Sequence, residues 1–135
     1  MSKFIPTQRS LLFAWFVLFI AIVIAGLMPE KLPGQGIISS RWWNWGHMPA
    51  YALLAGLSAM VAARMQRVTV WLLLAIGIGV GTLGLAIELI QPWFGRSLSL
   101  RDFIYNTIGI VAALAVCFIL RDSVLFTAFA VKARQ

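Results

Sequence analysis

The sequence predicts an all-α membrane protein, a bundle of four transmembrane helices with both termini on the cytoplasmic side. Three observations carry this expectation. Of 135 residues, 61% are hydrophobic and only 11% charged, against about 25% charged in an ordinary soluble domain. The mean hydropathy is +0.93. The apolar residues are gathered into four long runs, and the basic residues fall between them.

The first run, Leu11 to Leu27, holds no charged residue and approaches the ~20 residues needed to cross a bilayer. A secretory signal would have a shorter apolar core, about 7–15 residues, with a small-residue cleavage site after it. This run leads instead into MPEKLP, so it reads as an uncleaved span. The second runs from His47 to Arg64, the third from Val68 to Ile90, the fourth from Phe103 to Leu120. Pro92 and Gly95 mark the stop of the third, because proline cannot continue the helical ladder. A short turn, Arg64 to Arg67, joins the second and third. The whole chain, 1–135, is expected to be a single domain.

The connection from Met28 to Gly46 carries Pro29, Pro33, Gly34, Gly36, Trp42, Trp43 and Trp45. Tryptophan favours the headgroup level, so this segment is expected to lie along the interface. The tail stretch Val124 to Val131 is too short to span and is expected to rest on the inner surface.

Orientation follows from the basic residues. One side collects seven, namely Lys3, Arg9, Arg64, Arg67, Arg121, Lys132 and Arg134, and the other four, Lys31, Arg41, Arg96 and Arg101. The cytoplasmic side carries the excess. The formal charge of +7 does not indicate nucleic acid, since these residues form no patch or stripe. The single cysteine, Cys117, cannot form an intrachain disulfide.

Polar residues recur at helical spacing. The second run carries His47, Tyr51, Leu54 and Ser58 on one face, the third Gly77, Gly81, Gly84, Glu88 and Gln91, the fourth Asp102, Asn106, Gly109 and Ala113. Each stripe grades from small residues at depth to polar ones at its outer end. Small residues let helices approach closely in lipid, so Gly77, Gly81, Gly84 and Gly109 are expected to pack inward and turn Glu88, Asp102 and Asn106 inward with them. The loop from Gln91 to Arg101 would roof the cluster with Arg96, Ser97 and Ser99.

An ionisable residue within an apolar span is a functional-site candidate, and Glu88 is one. It is also open to a structural reading as the ion-pair partner of Arg96. Asp102 reads either as a site residue or as a helix start, His47 as a site residue or an interfacial one, and Tyr51 as a site residue or an interfacial anchor. Ser58 and Thr107 read as ordinary helix hydroxyls.

The stretch ELIQPWFGRSLSLRDFIYNTIG, Glu88 to Gly109, resembles the signature of the VanZ-like family of small bacterial membrane proteins. The residues that carry the likeness are Glu88, Gln91, Arg96, Ser97, Ser99, Asp102, Asn106 and Gly109. GHMPAYALL, with His47 and Tyr51, is similar to the family's second-span element, and MPEKLP to its first outer loop. Where family members often carry an Asp-Lys pair before the histidine, this chain has Trp43 and Asn44. The resemblance implies the bacterial cell envelope and an association with resistance to teicoplanin-type glycopeptides.

Three functions remain open on the sequence. A binding site would hold a lipid headgroup or lipid-linked envelope precursor, with Arg96 on its phosphate or carboxylate, Glu88 and Gln91 fixing that arginine, and the apolar groove between spans taking the chain. A membrane enzyme would draw acid and base from His47, Glu88 and Asp102, although no nucleophile elbow, zinc-protease motif or phosphate loop is present. A structural subunit would use the cluster to hold the bundle and meet a protein partner or a second copy. No cofactor or metal is expected, as His47, Glu88 and Asp102 lack characteristic ligand spacing.

Overall fold

A computed structural model describes residues 7–28 and 40–123, with side chains from 46 onward in the second stretch. Four helices follow in order: α1 (Gln8–Leu27), α2 (Ser40–Met65), α3 (Val70–Ile90) and α4 (Leu100–Leu120). A 3-10 turn, Gln91–Phe94, follows α3. No strand occurs among the described residues. Each of the four helices contains a segment long and apolar enough to cross a membrane. At about 1.5 Å rise per residue, the 20 residues of α1 extend ~30 Å, one hydrocarbon thickness.

Local chemistry sets the helix starts. Thr7 caps α1, its hydroxyl accepting from the Ser10 N–H at 3.2 Å. Thr69 caps α3 by the same means through Leu72 at 3.2 Å, and Ser99 caps α4 through Asp102 at 3.3 Å. Such caps satisfy donors that have no intrahelical partner. The Ser99 cap is why α4 begins at Leu100, before the apolar run that opens at Phe103.

The segment of α2 apolar enough to cross a membrane, Gly46–Met65, agrees with the expected span, but the helix itself begins earlier, at Ser40. The backbone from 40 to 46 is helical, so the expected interfacial connection is shorter than Met28 to Gly46. No proline or second glycine interrupts SRWWNWG, and its tryptophans are compatible with a helix. Pro49 lies inside α2. It has no N–H, so the Trp45 carbonyl lacks its usual donor one turn on, a defect that spanning helices tolerate. The expectations for the Trp42, Trp43 and Trp45 side chains, for residues 29–39 and for Val124 to Val131 lie outside the described residues.

The core is built from Ile22, Tyr51, Leu54, Ala55, Val80, Ile87 and Ile110, with a second cluster of Ala59, Leu73 and Cys117. The outward surface is apolar. Trp71 and Trp93 are 80% and 84% exposed near the two ends of α3, where indole rings suit the two membrane–water interfaces. An interhelical hydrogen bond ties α1 to α2: Trp15 Nε1 donates to Ser58 Oγ at 2.8 Å, and that hydroxyl donates to the Leu54 carbonyl at 2.8 Å.

The glycines divide by what a Cβ would meet. At Gly109 it would strike the Met48 carbonyl and lie 3.1 Å from the Met48 carbonyl carbon and 3.3 Å from the Ala52 nitrogen. Here α2 and α4 touch backbone to backbone. At Gly84 it would sit 3.1 Å from the Tyr51 ring and 3.4 Å from the Asn106 amide, and at Gly77 3.1 Å from Leu114. Gly81 departs from expectation: nothing lies within 4 Å of its Cβ position. The helix meets its neighbours one turn on either side of Gly81.

Candidate functional site

Among the described residues, all the buried polar ones but one gather at a single end of the bundle. There α1 and α3 end and α4 begins, and α2 passes with His47 and Tyr51. Glu88, Gln91, Arg96, Asp102 and Asn106 are each at most 6% exposed. The exception, Arg64, is buried near the end of α2.

Glu88 lies in the last turn of α3. Its Oε2 accepts from the Ser99 backbone N–H at 3.1 Å, and its Oε1 from Gln91 Nε2 at 3.4 Å. In a capping box the N-cap backbone N–H is taken by the side chain at the third helical position. That position in α4 is Asp102, and Glu88 has taken its role. The substitution ties α3 to the start of α4 and leaves the Asp102 carboxylate free to face elsewhere.

Asp102 faces His47 and Arg96. Its Oδ2 stands 4.0 Å from His47 Nε2 and 4.0 Å from Arg96 Nη2. Arg96 comes from the loop after the 3-10 turn. Gly95 closes that turn at φ +76°, the left-handed region that glycine enters freely, and the Arg96 N–H donates to the Gln91 carbonyl at 3.2 Å. The guanidinium then reaches across to α1, where Nη1 donates to the Gly26 carbonyl at 3.3 Å. That carbonyl belongs to the last turn of α1, which has no helical donor to offer it, so Arg96 caps α1 from 70 positions away in sequence.

This geometry revises the expected role of Arg96. Glu88 does not hold it from below, since the Glu88 oxygens are engaged by Ser99 and Gln91. Arg96 pairs with Asp102 and Gly26 instead. Arg101, next to Asp102 in sequence, is exposed where Asp102 is buried. Ser97 is exposed, whereas Ser99 joins the cluster through its backbone N–H. Tyr51 is a core residue, 2% exposed, with its ring nearly parallel to that of His47 at 6.5 Å between centroids. Thr107 bonds the Phe103 carbonyl at 2.9 Å, as an ordinary helix hydroxyl does.

Several buried polar atoms have no hydrogen-bond partner: Gln91 Oε1, Arg96 Nε, Asp102 Oδ1, and both Oδ1 and Nδ2 of Asn106. Native interiors contain few such atoms, and each calls for an explanation. Beside them runs an apolar groove of about 280 Å³ between α1 and α2. Leu18, Ala21, Ala25 and Ala50 line it, and Gly26, His47 and Tyr51 stand where it meets the polar cluster. Among the described residues, no three His, Cys, Asp or Glu side chains are placed to hold a metal ion.

Two contributors escaped the sequence reading. Gly26 supplies the carbonyl for Arg96, and a Cβ there would lie 2.7 Å from Ile87 Cγ2. Its signal was present, a lone glycine near the end of the first apolar run. Trp15 left none, and Ser58, expected to be an ordinary helix hydroxyl, is its acceptor.

No family model, curated protein or solved structure matches this chain.

Proposed function

We propose that this chain is a VanZ-like protein of the bacterial cytoplasmic membrane whose polar cluster and α1–α2 groove bind a membrane lipid or lipid-linked envelope precursor. One observation carries the reading: a buried cluster with five unpartnered polar atoms adjoins an open apolar groove. A headgroup can satisfy such atoms, and a chain can fill such a groove. Both termini lie in the cytoplasm and the cluster on the extracytoplasmic side, on the strength of the seven-to-four distribution of Lys and Arg. The VanZ-like stretch Glu88 to Gly109 supports the envelope setting and a link to teicoplanin-type resistance.

Arg96 acts here mainly as the strut that fixes α1 and Asp102, and less as the ligand's anchor. The test compares lipid co-purified with wild type, Asn106→Ala and Arg101→Lys at matched abundance. Asn106→Ala loses the lipid and Arg101→Lys keeps it. Equal lipid content in all three contradicts the reading.

A second reading is favoured by the His47–Asp102 approach at 4.0 Å. An imidazole backed by a carboxylate is a general acid–base arrangement, and His47 borders the groove. The activity would be modification of a lipid-linked envelope molecule. Chemical change in an isolated lipid fraction incubated with the protein, abolished in His47→Ala, is its test. A protein partner or second copy is compatible with either reading.

A further inference from the structure

We infer that the polar group bound at this cluster is a primary ammonium, the headgroup amine of an aminolipid. The inference rests on the lipid-binding reading above and names the chemistry of its headgroup. Its first ground is charge. The cluster brings the carboxyl groups of Glu88 and Asp102 against the one guanidinium of Arg96, all at most 6% exposed. Buried charge is stable only when balanced; with both carboxyls ionised and His47 neutral, the cluster takes one further positive group.

The second ground is the direction of the unmet hydrogen bonds. Among the cluster's unpartnered atoms the acceptors outnumber the donors, Asp102 Oδ1, Gln91 Oε1 and Asn106 Oδ1 against Arg96 Nε and Asn106 Nδ2. An ammonium offers three N–H donors and no acceptor, one donor for each of the three acceptors. A phosphate offers the reverse. Two nitrogens of the guanidinium that would greet a phosphate, Nη1 and Nη2, already face Gly26 and Asp102, and the Asp102 carboxyl stands beside it.

The third ground is access. His47 both lines the groove and lies 4.0 Å from Asp102. It is therefore the residue past which a headgroup enters while its acyl chain occupies the space beside Ala21 and Ala25. Asp102 and Asn106 are one helical turn apart on α4 and receive the ammonium together.

The full-length protein in detergent is titrated calorimetrically with short-chain phosphatidylethanolamine, its N-acetyl derivative, phosphatidylcholine and phosphatidylglycerol of the same acyl length. Free ethanolamine is a fifth probe. Phosphatidylethanolamine is expected to bind at least about tenfold more tightly than the other three lipids, and Asp102→Asn to remove that preference. Competition by millimolar ethanolamine would assign the amine to a soluble source, and its absence to a lipid. Equal binding of phosphatidylethanolamine and its N-acetyl derivative would leave the charge balance to a proton on His47 and overturn the inference, while lipid binding itself stands. Tighter binding of phosphatidylglycerol overturns it in the same way. Binding of no lipid overturns the underlying reading as well. The wild-type comparison decides these outcomes even where Asp102→Asn fails to fold.

Discussion

Gly109→Ala is the sharpest perturbation of the architecture that holds the site. The new methyl group would meet backbone on α2, 3.1 Å from the Met48 carbonyl carbon and 3.3 Å from the Ala52 nitrogen, and closer still to the Met48 carbonyl oxygen. Overpacking that side chains can absorb costs about 1–3 kcal/mol. Here the obstacle is backbone, so α2 and α4 must separate, and the cost lies at the upper end, about 3 kcal/mol. That corresponds to roughly a hundredfold in the folded-to-unfolded ratio. The control is Gly81→Ala, whose Cβ meets nothing within 4 Å. It is expected to be neutral or to gain up to about 1 kcal/mol from helix propensity. Reversible unfolding in mixed micelles, followed by circular dichroism, measures both. Because Met48 adjoins His47, Gly109→Ala also moves His47 away from Asp102 and weakens lipid binding. Equal stability of the two variants would refute the close α2–α4 contact.

Other perturbations have distinct signatures. Ser58→Ala removes the acceptor for Trp15 and costs about 0.6 kcal/mol, the average of interhelical polar contacts in a membrane; thermal unfolding reads this, and lipid retention is unchanged. Arg96→Lys keeps the charge, but one ammonium cannot reproduce the planar fork that reaches both Gly26 and Asp102. A loss of about 1–3 kcal/mol follows, whereas Arg101→Lys, at an exposed position, changes stability by less than about 0.5 kcal/mol. In a Cys117→Ala background, a cysteine at Ser97 reacts with an impermeant maleimide in intact cells, and one at Thr7 reacts only after lysis; the opposite pattern inverts the topology.

Much of this arrangement was legible in the residues. Three- and four-residue spacing placed Glu88, Asp102 and Asn106 on faces shared with glycine, and all three are buried together. Spacing gives the face of a helix but only approximately its rotation, which is why Gly77 and Gly84 meet neighbours while Gly81 does not. The partners of Arg96 were hidden for another reason. Its acceptor is a backbone carbonyl on α1, identifiable only once the helix ends are brought together. Glu88 was read as the partner of Arg96 because opposite charges near one another in sequence suggest a pair. The Ser99 N–H competes for that carboxylate and wins. The early start of α2 was masked by tryptophans whose interfacial preference says nothing about backbone conformation.

The central claim is that a lipid occupies the α1–α2 groove with its headgroup at the buried polar cluster. A phosphatidylethanolamine carrying a photoreactive group on its acyl chain, reconstituted with the full-length protein and mapped by peptide mass spectrometry, tests it. Adducts are expected to concentrate on the groove-lining residues between 18 and 26 of α1 and between 46 and 51 of α2. They should disappear in Ala21→Trp, which fills the groove from an exposed position. Adducts spread evenly over the outward apolar surface and unaffected by Ala21→Trp would contradict the account.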